Sequence, residues 1–211
     1  MNRRQAALGT AVLALAVLLA GCADLLPGVS HATSSPITAS AAPVSPESSP
    51  TDLVAARKAA GIEDCPSIGK AAAVSGGLPD LTLDCLGGDT TVRLAALRGP
   101  MLVNLWAQWC EPCRAEAAHL SAFASTQHEV AVLGINYADP DPALAIEFAQ
   151  LTAATYPQLA DPDHTLKAPL GVAGIPYTLL IDAEGRIVAR HPGQFVSLEN
   201  VQEWVAQGLG R

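Results

Sequence analysis

The sequence predicts an α/β domain with a central mixed β-sheet flanked by helices. Three observations carry that expectation. The apolar run Leu102-Val103-Asn104-Leu105-Trp106-Ala107 reads as a strand buried on both faces. It leads through Cys110-Glu111-Pro112-Cys113 into the good helix formers Ala115, Glu116, Ala117 and Ala118. A second apolar stretch over residues 130–136 reads as another buried strand, one helix further on. Near the carboxyl end, two alternating runs flank Ala183-Glu184-Gly185 as a hairpin, and Ser197 caps a closing helix with Val201, Trp204 and Val205 on one face.

At the amino end, Arg3 and Arg4 precede an apolar stretch of about 15 residues, shorter than the ~20 that a spanning helix needs. A basic head, an apolar middle and small residues before a cut site describe a signal peptide over residues 1–21. Leu19-Ala20-Gly21-Cys22 resembles a bacterial lipobox, which implies cleavage before Cys22 and lipidation of its thiol. A plain short membrane anchor is the alternative. Both put the bulk of the chain outside the cytoplasm, close to a membrane. Residues 22–50 are rich in Ser, Pro, Ala and Thr and read as a disordered tether, with Pro36, Pro43, Pro46 and Pro50 breaking any regular element. His31 there is a solvated side chain rather than a ligand.

Residues 51–77 form an amino-terminal extension, in which Thr51 or Asp52 caps a short helix ending at Gly61. The main domain spans residues 78–211. It opens on two alternating strands, 81–84 and 91–94, joined as a hairpin by Gly87-Gly88-Asp89. On the next helix Ala117, Leu120, Phe123 and Ala124 have core-facing spacing. His119 and His128 face solvent, because no other ligand lies at metal spacing. Asp139-Pro140-Asp141-Pro142 opens a further helix over 143–153, with Leu144, Ile146, Phe148 and Leu151 available for packing. Residues 156–159 form a short strand, and Asp163 or Thr165 starts one more helical turn.

The chemistry concentrates where the buried strand meets its helix. Unpaired N–H groups and the positive end of the helix dipole stabilise an anion there. A Cys-X-X-Cys thiol so placed can fall from its free pKa of about 8.5 to between about 3.5 and 7.5. The thiolate is the attacking species in disulfide exchange. Cys110, at the mouth of the helix, is therefore the nucleophile, and Cys113 is close enough to resolve the mixed disulfide. Two further cysteines, Cys65 and Cys85, suggest a structural disulfide in an oxidising compartment. It closes a loop of about 20 residues, worth about 3 kcal/mol on the loop-entropy argument. A zinc site made of all four cysteines and a pair of unrelated free thiols remain the alternatives.

Trp109-Cys110-Glu111-Pro112-Cys113 after Val103-Asn104-Leu105-Trp106-Ala107 resembles the TlpA/ResA-like branch of the thioredoxin-fold thiol-disulfide oxidoreductases. The likeness runs from Leu78 to the carboxyl terminus and includes Leu97-Arg98-Gly99-Pro100 and Gly174-Ile175-Pro176-Tyr177-Thr178. It implies a thioredoxin-like fold in which the helix after Asp139 is an insertion. It also implies a cis Pro176 facing the two sulfurs, against the ordinary preference for trans. Ile175 and Pro176, with Trp109, then form the edge that docks an extended peptide. The family places a partly buried acid near its thiols, and Glu116 matches that position, one turn after Cys113. A carboxylate there raises the second thiol's pKa or takes its proton; a surface glutamate paired with Arg114 is the plain alternative. Thioredoxins proper carry an acid where this chain has Asn104. Ala118 also departs from the pattern, replacing a proline.

Together these features describe a membrane-tethered extracytoplasmic dithiol enzyme without cofactor or metal, its pair reset by a membrane redox partner. The resemblance points to protein disulfides, such as the haem-attachment cysteines of apocytochrome c, as substrate. The same pair run in reverse inserts disulfides, and a peptide-binding lipoprotein without turnover is the reading from another class. Peroxidase chemistry needs an earlier, differently flanked cysteine, which is missing. Haem attachment is excluded because Arg114 stands where His is required. The net charge of −8 becomes −10 once Arg3 and Arg4 leave with the signal peptide. That balance offers no footprint for nucleic acid, and it leaves anchoring on an anionic bilayer to lipid.

Overall fold

The computed structural model describes residues 49–67, 71–88 and 90–211. The expected signal peptide, Cys22 and the expected tether, apart from its last two residues, lie outside the described residues.

Helix α1 (Pro50–Ala59) starts at least two residues earlier than expected, capped by Ser49 and not by Thr51 or Asp52. Ser49 is its cap, accepting from the Asp52 N–H at 3.3 Å, while the Asp52 carboxylate reaches back to Ser49. Pro50 therefore begins the helix instead of breaking it, because the first helical position has no use for an N–H. The chain continues through β1 (Thr82–Cys85), β2 (Thr91–Arg93), β3 (Met101–Trp106), α2 (Glu111–Thr126), β4 (Ala131–Tyr137) and α3 (Pro142–Leu151). It ends with β5 (Gln158–Asp161), α4 (Lys167–Leu170), β6 (Tyr177–Ile181), β7 (Ile187–Pro192) and α5 (Leu198–Gly208). Among the described residues the seven strands form one mixed sheet, ordered β2-β1-β5-β4-β3-β6-β7. β3 pairs parallel with β4 and antiparallel with β6. The amino-terminal hairpin joins the sheet through β1, antiparallel to β5.

Strand alternation divides the interior into two apolar layers. Leu102 and Trp106 face one layer with Leu120 and Phe123 of α2 and Phe148 of α3. Met101, Val103 and Leu105 face the other with Leu133, Ile135, Leu166 and Leu179. Each fully buried leucine contributes about 1.5–3 kcal/mol. Asn104 falls on the α2 side by the same period, which matters for the site. Helix α3 turns differently from expectation: Ala145, Ile146, Phe148 and Ala149 are buried, while Leu144 and Leu151 are exposed at 45% and 77%. Small residues face the sheet because the helix lies close to Trp106, whose ring centroid is 5.6 Å from that of Phe148.

Strand β5 begins at Gln158, two residues later than expected, and the final short helix begins only at Lys167. The buried Asp161 carboxylate organises that turn, accepting from the Thr165 N–H at 2.8 Å and the Leu166 N–H at 3.0 Å. His128 is exposed, but His119 is half-buried because α5 packs against α2 there. Cys65 and Cys85 are joined by a disulfide, and two peptide bonds are cis, Gly99–Pro100 and Ile175–Pro176. Among the described residues no helix is long and apolar enough to cross a membrane.

Gly134, in the middle of β4, has a packing reason. A Cβ there would meet the Gln158 side-chain carbonyl, the same oxygen that accepts from the Trp106 indole N–H at 2.9 Å. Gly134→Ala is expected to displace Gln158 and lower stability by about 1–3 kcal/mol, read as a lower urea midpoint with an unchanged slope.

Candidate dithiol site at the amino end of α2

Cys110 is the N-cap of α2, with extended backbone angles, and its Sγ accepts from the Cys113 N–H at 3.2 Å. Pro112 sits in the first turn, where the absent N–H is no loss. Cys110 and Cys113 are joined by a disulfide, and they are 5% and 2% exposed. The Cys110 sulfur lies 3.6 Å from the Ile175 carbonyl oxygen, so the cis Ile175–Pro176 bond and the sulfur pair are neighbours. Trp109 is 54% exposed beside them, its indole N–H donating to the Ala138 carbonyl at 3.2 Å. Glu111 is exposed.

Glu116 lies under this surface, 1% exposed. One carboxylate oxygen accepts from the Asn104 amide at 2.9 Å and the other from the Phe195 backbone N–H at 2.9 Å. Asn104 also donates to the Thr178 hydroxyl at 3.0 Å. Arg114 has no part in this; it donates to the Gln108 carbonyl at 3.2 Å and stacks its guanidinium over Phe148 at 5.0 Å. Burial pushes the Glu116 carboxyl up from 4.5 to about 7, against the opposing pull of the Phe195 and Asn104 donors. The phenol of the buried Tyr156 is raised as well, by burial first and then by the Glu116 charge. A cavity of about 10 Å³ opens between Cys113, Asn104, Thr152 and Tyr156. That is the room one water needs.

Asp139 is a part of the site that sequence reasoning missed. It is 3% exposed, and one oxygen accepts from both the Gln108 N–H at 3.1 Å and the Asn136 amide at 3.0 Å. It thereby ties the loop before Cys110 to the end of β4. The available signal was the Asp139-Pro140-Asp141-Pro142 pattern. Both acids read as helix openers there, yet only Asp141 caps α3, accepting from Ala143 and Leu144 N–H groups at 3.1 Å. Among the described residues no cluster of His, Cys, Asp and Glu could hold a metal ion.

Strand order, helix placement and the sulfur pair together define a thioredoxin-fold dithiol–disulfide protein. The model of the AhpC/TSA family matches residues 74–190, and the chain belongs to that family. It is 39% identical over 116 residues to the thiol:disulfide interchange protein DsbE of Pseudomonas fluorescens biotype C, covering 54% of this chain and 64% of that protein. It is 36% identical over 145 residues to the protein of the same name from Tatumella citrea, covering 67% and 75%. The chain thus spans a little under two thirds of the Pseudomonas relative. Among solved structures, a secreted thiol-disulfide isomerase from Corynebacterium glutamicum superposes with a TM-score of 0.56 at 27% identity, over 64% of this chain and 86% of that one.

Proposed function

We propose that this protein is an extracytoplasmic thiol-disulfide oxidoreductase that reduces protein disulfides. The observation that carries the reading is Cys110 at the N-cap of α2, beside the Ile175 carbonyl, with its partner Cys113 one turn inside. Reduced Cys110, as thiolate, attacks one sulfur of a substrate disulfide docked along Ile175, Pro176 and Trp109. The substrate S–S bond breaks, and one substrate sulfur leaves as a thiolate. Cys113 then yields its proton to Glu116 and attacks Cys110 Sγ, which releases the second substrate thiolate and closes the Cys110–Cys113 bridge. Two electrons pass to the substrate, and a membrane dithiol partner restores them. The buried Glu116 charge opposes thiolate formation in the pair. That weakens the reduced form and favours the reducing direction. The haem-attachment cysteines of apocytochrome c are the substrate we infer from the family resemblance.

Equilibration of the Cys110–Cys113 pair against thiol buffers tests this. A potential near that of thioredoxin, about −270 mV, fits a reductase. One near −120 mV reverses the direction, and failure to form the bridge under mild oxidant removes the enzymatic reading altogether.

The signal pattern and Leu19-Ala20-Gly21-Cys22 support a lipid anchor on Cys22. The secreted C. glutamicum isomerase supports the same side of the membrane. Cys22→Ser in the full chain is expected to move the protein from the membrane pellet to the soluble fraction on cell fractionation. An unchanged pellet would mean that the apolar segment stays on as an anchor.

A further inference from the structure

The turn that follows β4 grips the two residues ahead of the nucleophile. Ala138 has a φ of 53°, in the left-handed region that an L side chain rarely adopts. Both of its backbone groups are engaged: its N–H donates to the Asp161 carbonyl at 2.9 Å, and its carbonyl accepts from the Trp109 indole N–H at 3.2 Å. The buried Asp139 carboxylate holds the Gln108 N–H at 3.1 Å, on the oxygen that also takes the Asn136 amide. Arg114 in turn donates to the Gln108 carbonyl at 3.2 Å, its guanidinium lying over the Phe148 ring. Backbone in a disfavoured region persists only where the surroundings over-determine it, and such residues gather at functional sites. Here the disfavoured residue aims its carbonyl at the only polar atom of a side chain that is otherwise 54% exposed.

We infer, resting on the dithiol-exchange reading of Cys110 and Cys113, that residues 138–139 clamp Trp109 as a preset platform for an apolar side chain next to the substrate cysteine. Ala138 and Asp139 are positioning residues in that clamp. Trp109 adjoins Cys110, and Cys110 Sγ faces the Ile175 carbonyl, so a peptide docked with its disulfide at Cys110 brings the neighbouring residue against the indole. The indole N–H is already engaged within the protein, so the exposed ring presents apolar surface and a π face but no donor. An aromatic anchor fixed before contact loses little freedom on binding, and the entropy retained appears as affinity. A glycine beside the substrate cysteine gains nothing from that surface. The selected class is a polypeptide disulfide flanked by an apolar or aromatic residue.

Two synthetic disulfide-bridged peptides test this, identical except that the residue after the first cysteine is phenylalanine in one and glycine in the other. Reduced full-length protein is mixed with each, and the second-order exchange constants are compared as a ratio, which cancels the reactivity of the protein's own sulfurs. The wild type is expected to favour the phenylalanine peptide. Ala138→Gly accepts the same φ but leaves the carbonyl free to turn, and should lower the ratio about two- to tenfold. Trp109→Phe keeps an aromatic ring without the anchoring N–H and should lower it similarly. The two together should lower it no further, because both act through one contact. NMR supplies a readout apart from exchange with substrate: the Trp109 indole proton should trade with solvent several-fold faster in Ala138→Gly and in Asp139→Ala than in the wild type. No exchange with either peptide would remove the dithiol reading and the inference with it. Intact exchange with the same ratio in wild type and Ala138→Gly, or a double variant that falls by the product of the single effects, would overturn the clamp alone.

Discussion

A chain carrying Cys110→Ser is expected to lose disulfide exchange altogether, by on the order of a thousandfold or more. Cys113→Ser is expected instead to accumulate a covalent complex with its substrate. The difference lies in position. Cys110 caps α2 and faces the Ile175 carbonyl on the docking edge, whereas Cys113 lies one turn inside, bonded to the partner sulfur and bordering the inner cavity. A serine hydroxyl is un-ionised at neutral pH and cannot displace a thiolate, so nothing replaces the first sulfur. Without the second, the mixed disulfide persists. Non-reducing gels read the adduct, and mass spectrometry of the captured species names the substrate. If Cys110→Ser leaves the cellular function intact, the fold serves binding and not turnover.

The second large effect concerns acidity. The folded protein holds the Glu116 proton up to about pH 7, whereas the unfolded chain releases it near 4.5. Between those values the folded state binds more protons, so stability is full below about pH 4.5 and falls as pH rises through 7. The shift corresponds to a loss on the order of 3 kcal/mol by pH 8. Glu116→Gln should flatten that slope. Its oxygen can accept from Phe195, and a flipped Asn104 amide can accept from its NH₂ while Thr178 donates to the same oxygen. The variant should then be the more stable protein at pH 8. Urea midpoints from pH 5 to 8 give the comparison, and a flat wild-type profile would show that burying this carboxyl costs nothing.

Much of the sheet and the sulfur pair was legible because the signals are local. Pro112 after Cys110, the run from Leu102 to Trp106, and Ser197 before the last helix all speak within one turn or one strand. The misreadings lie where a contact, not a spacing, decides, and all but the first of these contacts come from a distant part of the chain. Pro50 breaks a chain in isolation but begins a helix once Ser49 and Asp52 cap it. Leu144 and Leu151 look like core until α3 presents Ala145 and Ala149 to the sheet. Asp139 looks like a helix opener until the loop before Cys110 claims its carboxylate. Arg57 carries no sign in the sequence that it will be buried. Spacing placed Glu116 on the Cys113 face, but its burial depends on Asn104 and Phe195, which no local pattern ties to it.

The two groups that hold Glu116 come from opposite ends of the domain: Asn104 lies 12 residues before it, and the Phe195 amide 79 after. A polypeptide emerging from a ribosome or an export channel therefore presents Cys110 and Cys113 long before the second donor to Glu116 is in place. Until residue 195 has arrived, one carboxylate oxygen has only water to accept from. A truncated product ending before Phe195 would carry the Cys-X-X-Cys motif without the closed setting of its neighbouring acid.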